Sequence, residues 1–285
     1  VIDVQAALGA RTGGGEATWS LRDVITYQLG LGAGADPLSN RELRYVVEDG
    51  LTVLPSFATI LGSKGLRELR AVAGLDYNPR ASVHGEHEIE IRGPLEAEGV
   101  VIVDGRIRSI HDKGSGALVE IEVVASSVDG QPVFVNRYSL FLRGRGGFGG
   151  SSGHERETVP VEIPSRSPDA LVEVPTLPQQ ALLYSLSGDR NRIHSDPAVA
   201  RSAGFRQPIL QGLCTYGMVC KALVDSVFEG DPSRMGRFRA RFARETYPGE
   251  TITVRAWSQP AGVAVVASVD ERGVDVLTRG WVAER

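Results

Sequence analysis

Cysteine, methionine and tryptophan are scarce in this 285-residue chain, occurring two, two and three times, and histidine occurs five times. Two cysteines, Cys214 and Cys220, cannot build a disulfide framework, and neither belongs to a Cys-x-x-Cys zinc or redox site. Both fall in a stretch that reads as helix, where a separation of six turns them to different faces, so free thiols are expected. No apolar run approaches the ~20 residues of a membrane-spanning helix. An excess of positive charge is also missing: the net charge is −4 and the isoelectric point about 5.8. Non-specific binding to nucleic acid is therefore not expected, and an anionic ligand must be met by a local cluster of Lys and Arg. No basic-then-apolar leader opens the sequence, which together with the free thiols points to a reducing compartment, the cytoplasm. Apolar residues at 42% and charged residues at 23% leave a soluble globular chain with enough material for two ordinary domains or one large one.

Glycine and then proline recur from "GRGGFGGSSG" (144–153) through "VPVEIPSRSPDALVEVPTLP" (159–178), too often for a continuous helix or a central strand. Residues 146–178 are read as a linker between an N-terminal part, 1–145, and a C-terminal part, 179–285. The parts match weakly but in order. Tyr27 precedes Ser56 by 29 positions and Tyr184 precedes Gly212 by 28, "VLPSFATILG" pairs with "ILQGLCTYGMV", and "VVASSVDGQPVFVNR" aligns with "VVASVDERGVDVLTR". Duplication accounts for the shared order, the alternative being that strand-turn-strand segments resemble one another by chance. In the second half "GLCTYGMVCKALVDSVF" (212–228) reads as a helix sunk in a core, and 237–244, 250–259, 262–270 and 274–283 read as strands. One long helix wrapped by strands, twice over, is an α+β double hot-dog arrangement.

The stretch "YSLSGDRNRIH" (184–194) concentrates polar groups. Asp189 and His194 are five apart, so they face oppositely on a strand and lie about 140° apart on a helix; they converge only on an irregular loop, which Gly188 and "DRN" supply. Ser195 or Asp196 then caps a short helix with Pro197 in its first turn and Gly204 at its end, and a positive helix end beside His194 favours neutral imidazole. Gly212 opens the next helix, whose first amides lack intrahelical partners and whose missing Cβ admits a ligand to the backbone. A carboxylate, an imidazole and an amide able to hold an oxyanion are what adding water to a conjugated thioester requires. The alternatives are Asx-turn chemistry for Asp189 and Asn191 and a capping or surface role for His194. This set is short of ligands for a metal, and a strand would turn the two histidines of "HGEH" (84–87) to opposite faces, so no metal is expected. On "RMGRFRARFAR" (234–244), Arg237, Arg239 and Arg241 make one face basic, either a docking strip for phosphates or a solvated outer face.

"YSLSGDRNRIHSDPAVARSAGFRQPILQGLCTYG" (184–217) resembles the signature of hydratase 2, the MaoC-like (R)-specific enoyl-CoA hydratases, including the hydratase portion of the peroxisomal multifunctional enzyme. The likeness extends through "YVVEDGLTVLPSF", "VHGEHEIEI", "DKGSGALVEIEV", "FLRGRGGFGG", "IPSRSPDA" and "ARFARETYPGET". The resemblance implies a double hot-dog fold, a homodimer, and reversible syn hydration of trans-2-enoyl-CoA to (3R)-3-hydroxyacyl-CoA without metal or redox cofactor; in a eukaryote it implies the peroxisome. It assigns Asp189 and His194 as the catalytic pair, Asn191 as the amide that orients the pair and the water, and Gly212 as the donor to the thioester oxygen. It places His84, Gly85, Lys113 and Phe242 against the acyl-CoA; structural hydrogen bonding, a solvated turn and core packing are the plainer roles of His84, Lys113 and Phe242. The chain departs from the family pattern at Arg192, where proline is usual, and at Gln211, where histidine is usual. The first half has no counterpart of Asp189 or His194 in "LGLGAGADPLSN", and Ser56 stands opposite Gly212. That half is thus expected to be silent, and the resemblance implies for it a shortened or displaced helix on the acyl-tail side. Other uses of such a chain are dehydration of acyl-carrier-protein or polyketide thioesters, thioester binding without turnover, and thioester hydrolysis.

Overall fold

In "GALVEIEVVAS" (116–126) apolar and polar residues alternate, and the folded strand buries every second side chain while its neighbours stay half-exposed. Such alternation sets the strands in a computed structural model that describes residues 2–153 and 160–285. Residues 154–159 of the expected linker lie outside the described residues. The described residues form two compact units, one from Val1–Thr18, Leu61–Pro94 and Val100–Pro160, the other from Trp19–Ile60, Leu95–Gly99 and Val161–Arg285.

The first unit holds helix α1 (Val4–Ala7) and strands β1 (Arg11–Trp19), β2 (Ser82–Ile91), β3 (Gly99–Asp112), β4 (Gly116–Ser126) and β5 (Pro132–Arg143), in the order β1-β3-β4-β5-β2, with β6 (Ser151–Gly153) on β3. Register puts Ile107, Ile121, Tyr138 and His87 in one row across four strands, all buried. Pleat parity gives the opposite face to charge. There Arg137 bonds Glu88 at 2.7 Å, Glu90 at 2.8 Å and Glu122 at 3.0 Å. This satisfies the carboxylate of Glu88, which is 3% exposed.

The second unit holds β7 (Ala170–Pro175), β8 (Met235–Phe242), β9 (Thr251–Gln259), β10 (Gly262–Val269) and β11 (Val274–Glu284), in the order β8-β11-β10-β9-β7. Four of these are the strands expected in the second half. Its helices are α2 (Leu21–Gly30), α3 (Asn40–Leu43), the start of α4 (Ala58–Gly62), α5 (Gln180–Ser185), α6 (Pro197–Ser202) and α7 (Gly212–Ser226). Helix α7 buries every side of the run Cys214–Cys220 and packs against β7, β8 and β9; the Tyr216 hydroxyl donates to Phe238 O at 2.6 Å and their rings stack 4.3 Å apart. Both cysteines are free and buried on it. Strand β7 forms within the segment read as linker; among the described residues it pairs with β9 alone, an edge position compatible with so proline-rich a stretch.

Opposite α7 in the sequence match, the first half offers less helix: a 3-10 turn at Pro55–Phe57, the five residues of α4, and a second 3-10 turn at Ser63–Leu66. That second turn lies hard against β3. A Cβ on Gly105 would sit 2.1 Å from Gly65 O and 2.6 Å from Thr12 Oγ1, the hydroxyl that itself donates to Gly65 O at 2.6 Å. Both neighbours are held by hydrogen bonds or are backbone, so they have no room to yield. Gly105→Ala is expected to destabilise the protein by about 1–3 kcal/mol, read as a lowered urea midpoint with an unchanged slope.

Candidate active site

Helix α5 buries Gln180, Ala181 and Tyr184, then unwinds through turns that Ser187 and Gly188 close by donating to Tyr184 O and Ser185 O. Gly188 adopts φ +119°, a conformation open to glycine, and this reverses the chain into Asp189. Two Asx turns follow: the Asn191 amide donates to Asp189 Oδ1 at 3.1 Å and the Ile193 amide to Asn191 Oδ1 at 3.3 Å. These locate a 3-10 turn, Arg192–His194. Asp196 caps α6 through the amides of Ala198 and Val199, Pro197 occupies its first position, and Gly204, with φ +90°, ends it. The capping signals read from the sequence thus operate, with Asp196 rather than Ser195 as the cap.

The loop brings Asp189 and His194 together, His194 Nε2 lying 3.8 Å from Asp189 Oδ2. On the other side of the ring, Nδ1 is 2.9 Å from the backbone oxygen of Ile209. A carbonyl oxygen only accepts, so Nδ1 carries the proton and the neutral ring presents a bare Nε2 to the carboxylate. Two acceptors face each other across a gap too wide for a direct hydrogen bond and wide enough for a water that donates to both. The His194 side chain is 11% exposed and that of Asp189 44%. Burial lowers the imidazole pKa, while the Asp189 charge and the Ile209 carbonyl oppose the shift. Desolvation thus favours the neutral ring.

Three residues beyond Ile209, α7 begins at Gly212. Its first intrahelical amides are those of Cys214 and Thr215, which donate to Gln211 O, so the amides of Gly212 and Leu213 precede the helical ladder. A Cβ on Gly212 would lie 3.2 Å from the Phe242 ring, which places Phe242 directly over this helix end. Gln211 is buried, and its Nε2 donates to Ala181 O at 2.9 Å. Arg192, at the other departure, is paired with Asp196 across the turn that carries His194. Of the basic strip, Arg239 is 6% exposed and Arg241 exposed, so the face is not uniformly solvated.

His84, Gly85 and Lys113 belong to the first unit. Gly85 occupies a bulge between β2 and β5, and the His84 ring packs 5.4 Å from Tyr138 and 5.3 Å from His87. Lys113 is exposed on the turn between β3 and β4; its amide donates to Gly116 O, and Asp112 beside it accepts the amides of Gly114, Gly147 and Gly149. Two contributors escaped sequence reasoning. Ile209 acts through its carbonyl, which leaves no mark in residue type; the tie from Gln211 to Ala181 was signalled only by an unusual residue ahead of Gly212.

Comparison with known proteins bears on this site. Residues 18–144 match the family described as MFE-2 hydratase 2 N-terminal domain and residues 160–276 the MaoC like domain. The chain is 44% identical to enoyl-CoA hydratase ChsH3 of Mycobacterium tuberculosis over 94% of its own length and 93% of that protein's. The chain belongs to the MaoC-like hydratase 2 family. It is also 38% identical to the peroxisomal enoyl-CoA hydratase 2 of Arabidopsis thaliana, over 93% of this chain and 90% of that one. The crystal structure of a MaoC-like dehydratase from Phytophthora Capsici superposes with a TM-score of 0.89 at 32% identity, covering 100% of this chain and 98% of that one. The fold is the double hot-dog that the sequence led us to expect. Among the described residues, no helix is long and apolar enough to cross a membrane.

Burial lowers the His84 pKa to about 4, from an ordinary 6.5. The unfolded chain therefore takes up this proton first as the pH falls, and the stability tied to neutral His84 is complete above 6.5 and lost between 6.5 and 4. Urea midpoints measured across that window should decline, and His84→Phe should flatten the decline.

Proposed function

We propose that this hydratase 2 chain catalyses the reversible syn hydration of trans-2-enoyl-CoA to (3R)-3-hydroxyacyl-CoA. The observation that carries this reading is the pair of acceptors, His194 Nε2 and Asp189 Oδ2, held 3.8 Å apart by a loop whose other bonds fix both. One water donating a proton to each is oriented with its oxygen lone pairs directed away from the pair, toward C3 of a bound enoyl thioester. As that oxygen adds to C3, His194 Nε2 takes the water's proton, and the imidazolium, stabilised by the Asp189 carboxylate, returns it to C2. Hydroxyl and hydrogen thus arrive from one side, which is syn addition. Charge that builds on the thioester oxygen meets the amides of Gly212 and Leu213 at the α7 terminus.

Asn191 supports the arrangement by fixing the turn between the two partners, and Phe242 forms the wall beside Gly212. His84, Gly85 and Lys113 contribute to holding the acyl-CoA, residues 179–285 supply the acid-base groups, and residues 1–145 take the acyl-tail side. The proton moves between water, substrate and this chain's own side chains, so the reading calls for no metal or redox cofactor. A homodimer is the assembly that goes with it. The names of the Mycobacterium and Arabidopsis relatives, both enoyl-CoA hydratases, support the choice of substrate class.

Loss of the conjugated-thioester absorbance, followed with enoyl-CoA and with carrier-protein thioesters, tests the reading. Asp189→Asn and His194→Gln should each lower kcat by about 10²–10⁴ with the circular dichroism unchanged, and full activity in both would overturn it. Because burial holds the His194 pKa below the ordinary histidine value, the acid limb of kcat/KM should lie at lower pH than that of a solvent-exposed histidine.

A further inference from the structure

Gln211 stands immediately before the helix that starts at Gly212, in the position where Ser, Thr, Asp or Asn normally turn back to bond the helix's own first amides. Its side chain makes no such bond. It points instead to α5, where Nε2 donates to Ala181 O at 2.9 Å. Gln211 is 1% exposed and Ala181 3%, so this bond, added to the α5 ladder at Ala181, is shielded from water.

The bond joins the two arms of the site. From Ala181 to Asp189 the chain runs through α5 and successive turn bonds, Leu186 to Leu183, Ser187 to Tyr184 and Gly188 to Ser185, so a shift at Ala181 is passed on to the loop. From Gln211 the next residue is Gly212. On the far side of the site, His194 Nδ1 bonds Ile209 O, two residues before Gln211. The segment 209–212 is therefore held to the catalytic loop at one end, by the backbone acceptor of Ile209, and to α5, which leads into that loop, at the other, by the side-chain donor of Gln211.

We infer that Gln211 is a positioning residue for hydration: it sets the distance between the Asp189–His194 pair and the amides at the start of α7, and it leaves those amides uncapped. The inference rests on the reading of the site as a hydratase. It predicts a loss felt in the transition state, where water, proton carrier and oxyanion donor must all be in place, more than in substrate binding.

Two variants and two readouts test it. Gln211→Met keeps the side-chain length and loses the donor; Gln211→His keeps a ring N–H for Ala181 O. With trans-2-enoyl-CoA, Gln211→Met should lower kcat about tenfold and move KM less than about twofold, while Gln211→His stays within about threefold of the parent. Independently of any substrate, Gln211→Met should speed amide hydrogen exchange across residues 186–194 by at least about fivefold, leaving β9 to β11 unaffected. Parental kcat in Gln211→Met, a loss confined to KM, an equal loss in Gln211→His, or unchanged exchange in the loop would each overturn the inference. A parent protein without hydration activity would sink the functional reading instead, and the exchange measurement would still decide the role of the tie.

Discussion

The hydrogen bond from His194 Nδ1 to Ile209 O decides how the rest of the site works. A backbone oxygen cannot give up a proton, so it assigns the tautomer without help from pH or ligand. With Nδ1 occupied, the ring has one free nitrogen, and the loop directs it at Asp189. Remove the carbonyl and either nitrogen could carry the proton, and a ring protonated at Nε2 would turn a donor, not an acceptor, toward Asp189. The bond depends in turn on residues 203–211 returning to the loop, which they do through Leu210, buried and anchored by its amide to Thr246 O at 2.8 Å.

Two environments meet in this small volume. His194 is nearly enclosed and is kept neutral by desolvation, whereas Asp189 is about half exposed and retains access to water. A fully buried pair would share a proton and bind each other; a fully exposed pair would be screened and mobile. In the proposed reaction this intermediate condition suits a ring that accepts a proton beside a solvent-accessible carboxylate. Helix α7 provides the fixed reference for both, being enclosed over the whole run from Cys214 to Cys220.

Much of this was legible in residue order because local rules govern it. The caps and turns around α6, the glycine reversal before Asp189, the start of α7 and the strands of the second half all follow from side-chain preferences acting over a few residues. The double hot-dog followed from one helix and several strands repeated. What stayed hidden acts at longer range. Nothing in the sequence shows that residues 19–60 pack with the second-half strands, because compactness is decided by contacts far apart in the chain. The basic strip on β8 read as a single face, yet Arg239 is covered and Arg241 is not, since burial depends on what lies above each position. The shortened first-half helix was anticipated only by family likeness; its breakage into 3-10 and α segments leaves no periodic trace.

The two cysteine thiols of α7 bear on the proposed chemistry in another way. Burial pushes the Cys220 thiol up to about 12 and that of Cys214 well above its ordinary value, so neither ionises near neutrality. An ionised thiol attacks activated acyl groups, and a carrier molecule that ends in sulfur would exchange its cargo with one. Enclosing both side chains within α7 keeps the polypeptide from becoming acylated by the very compounds it is proposed to handle.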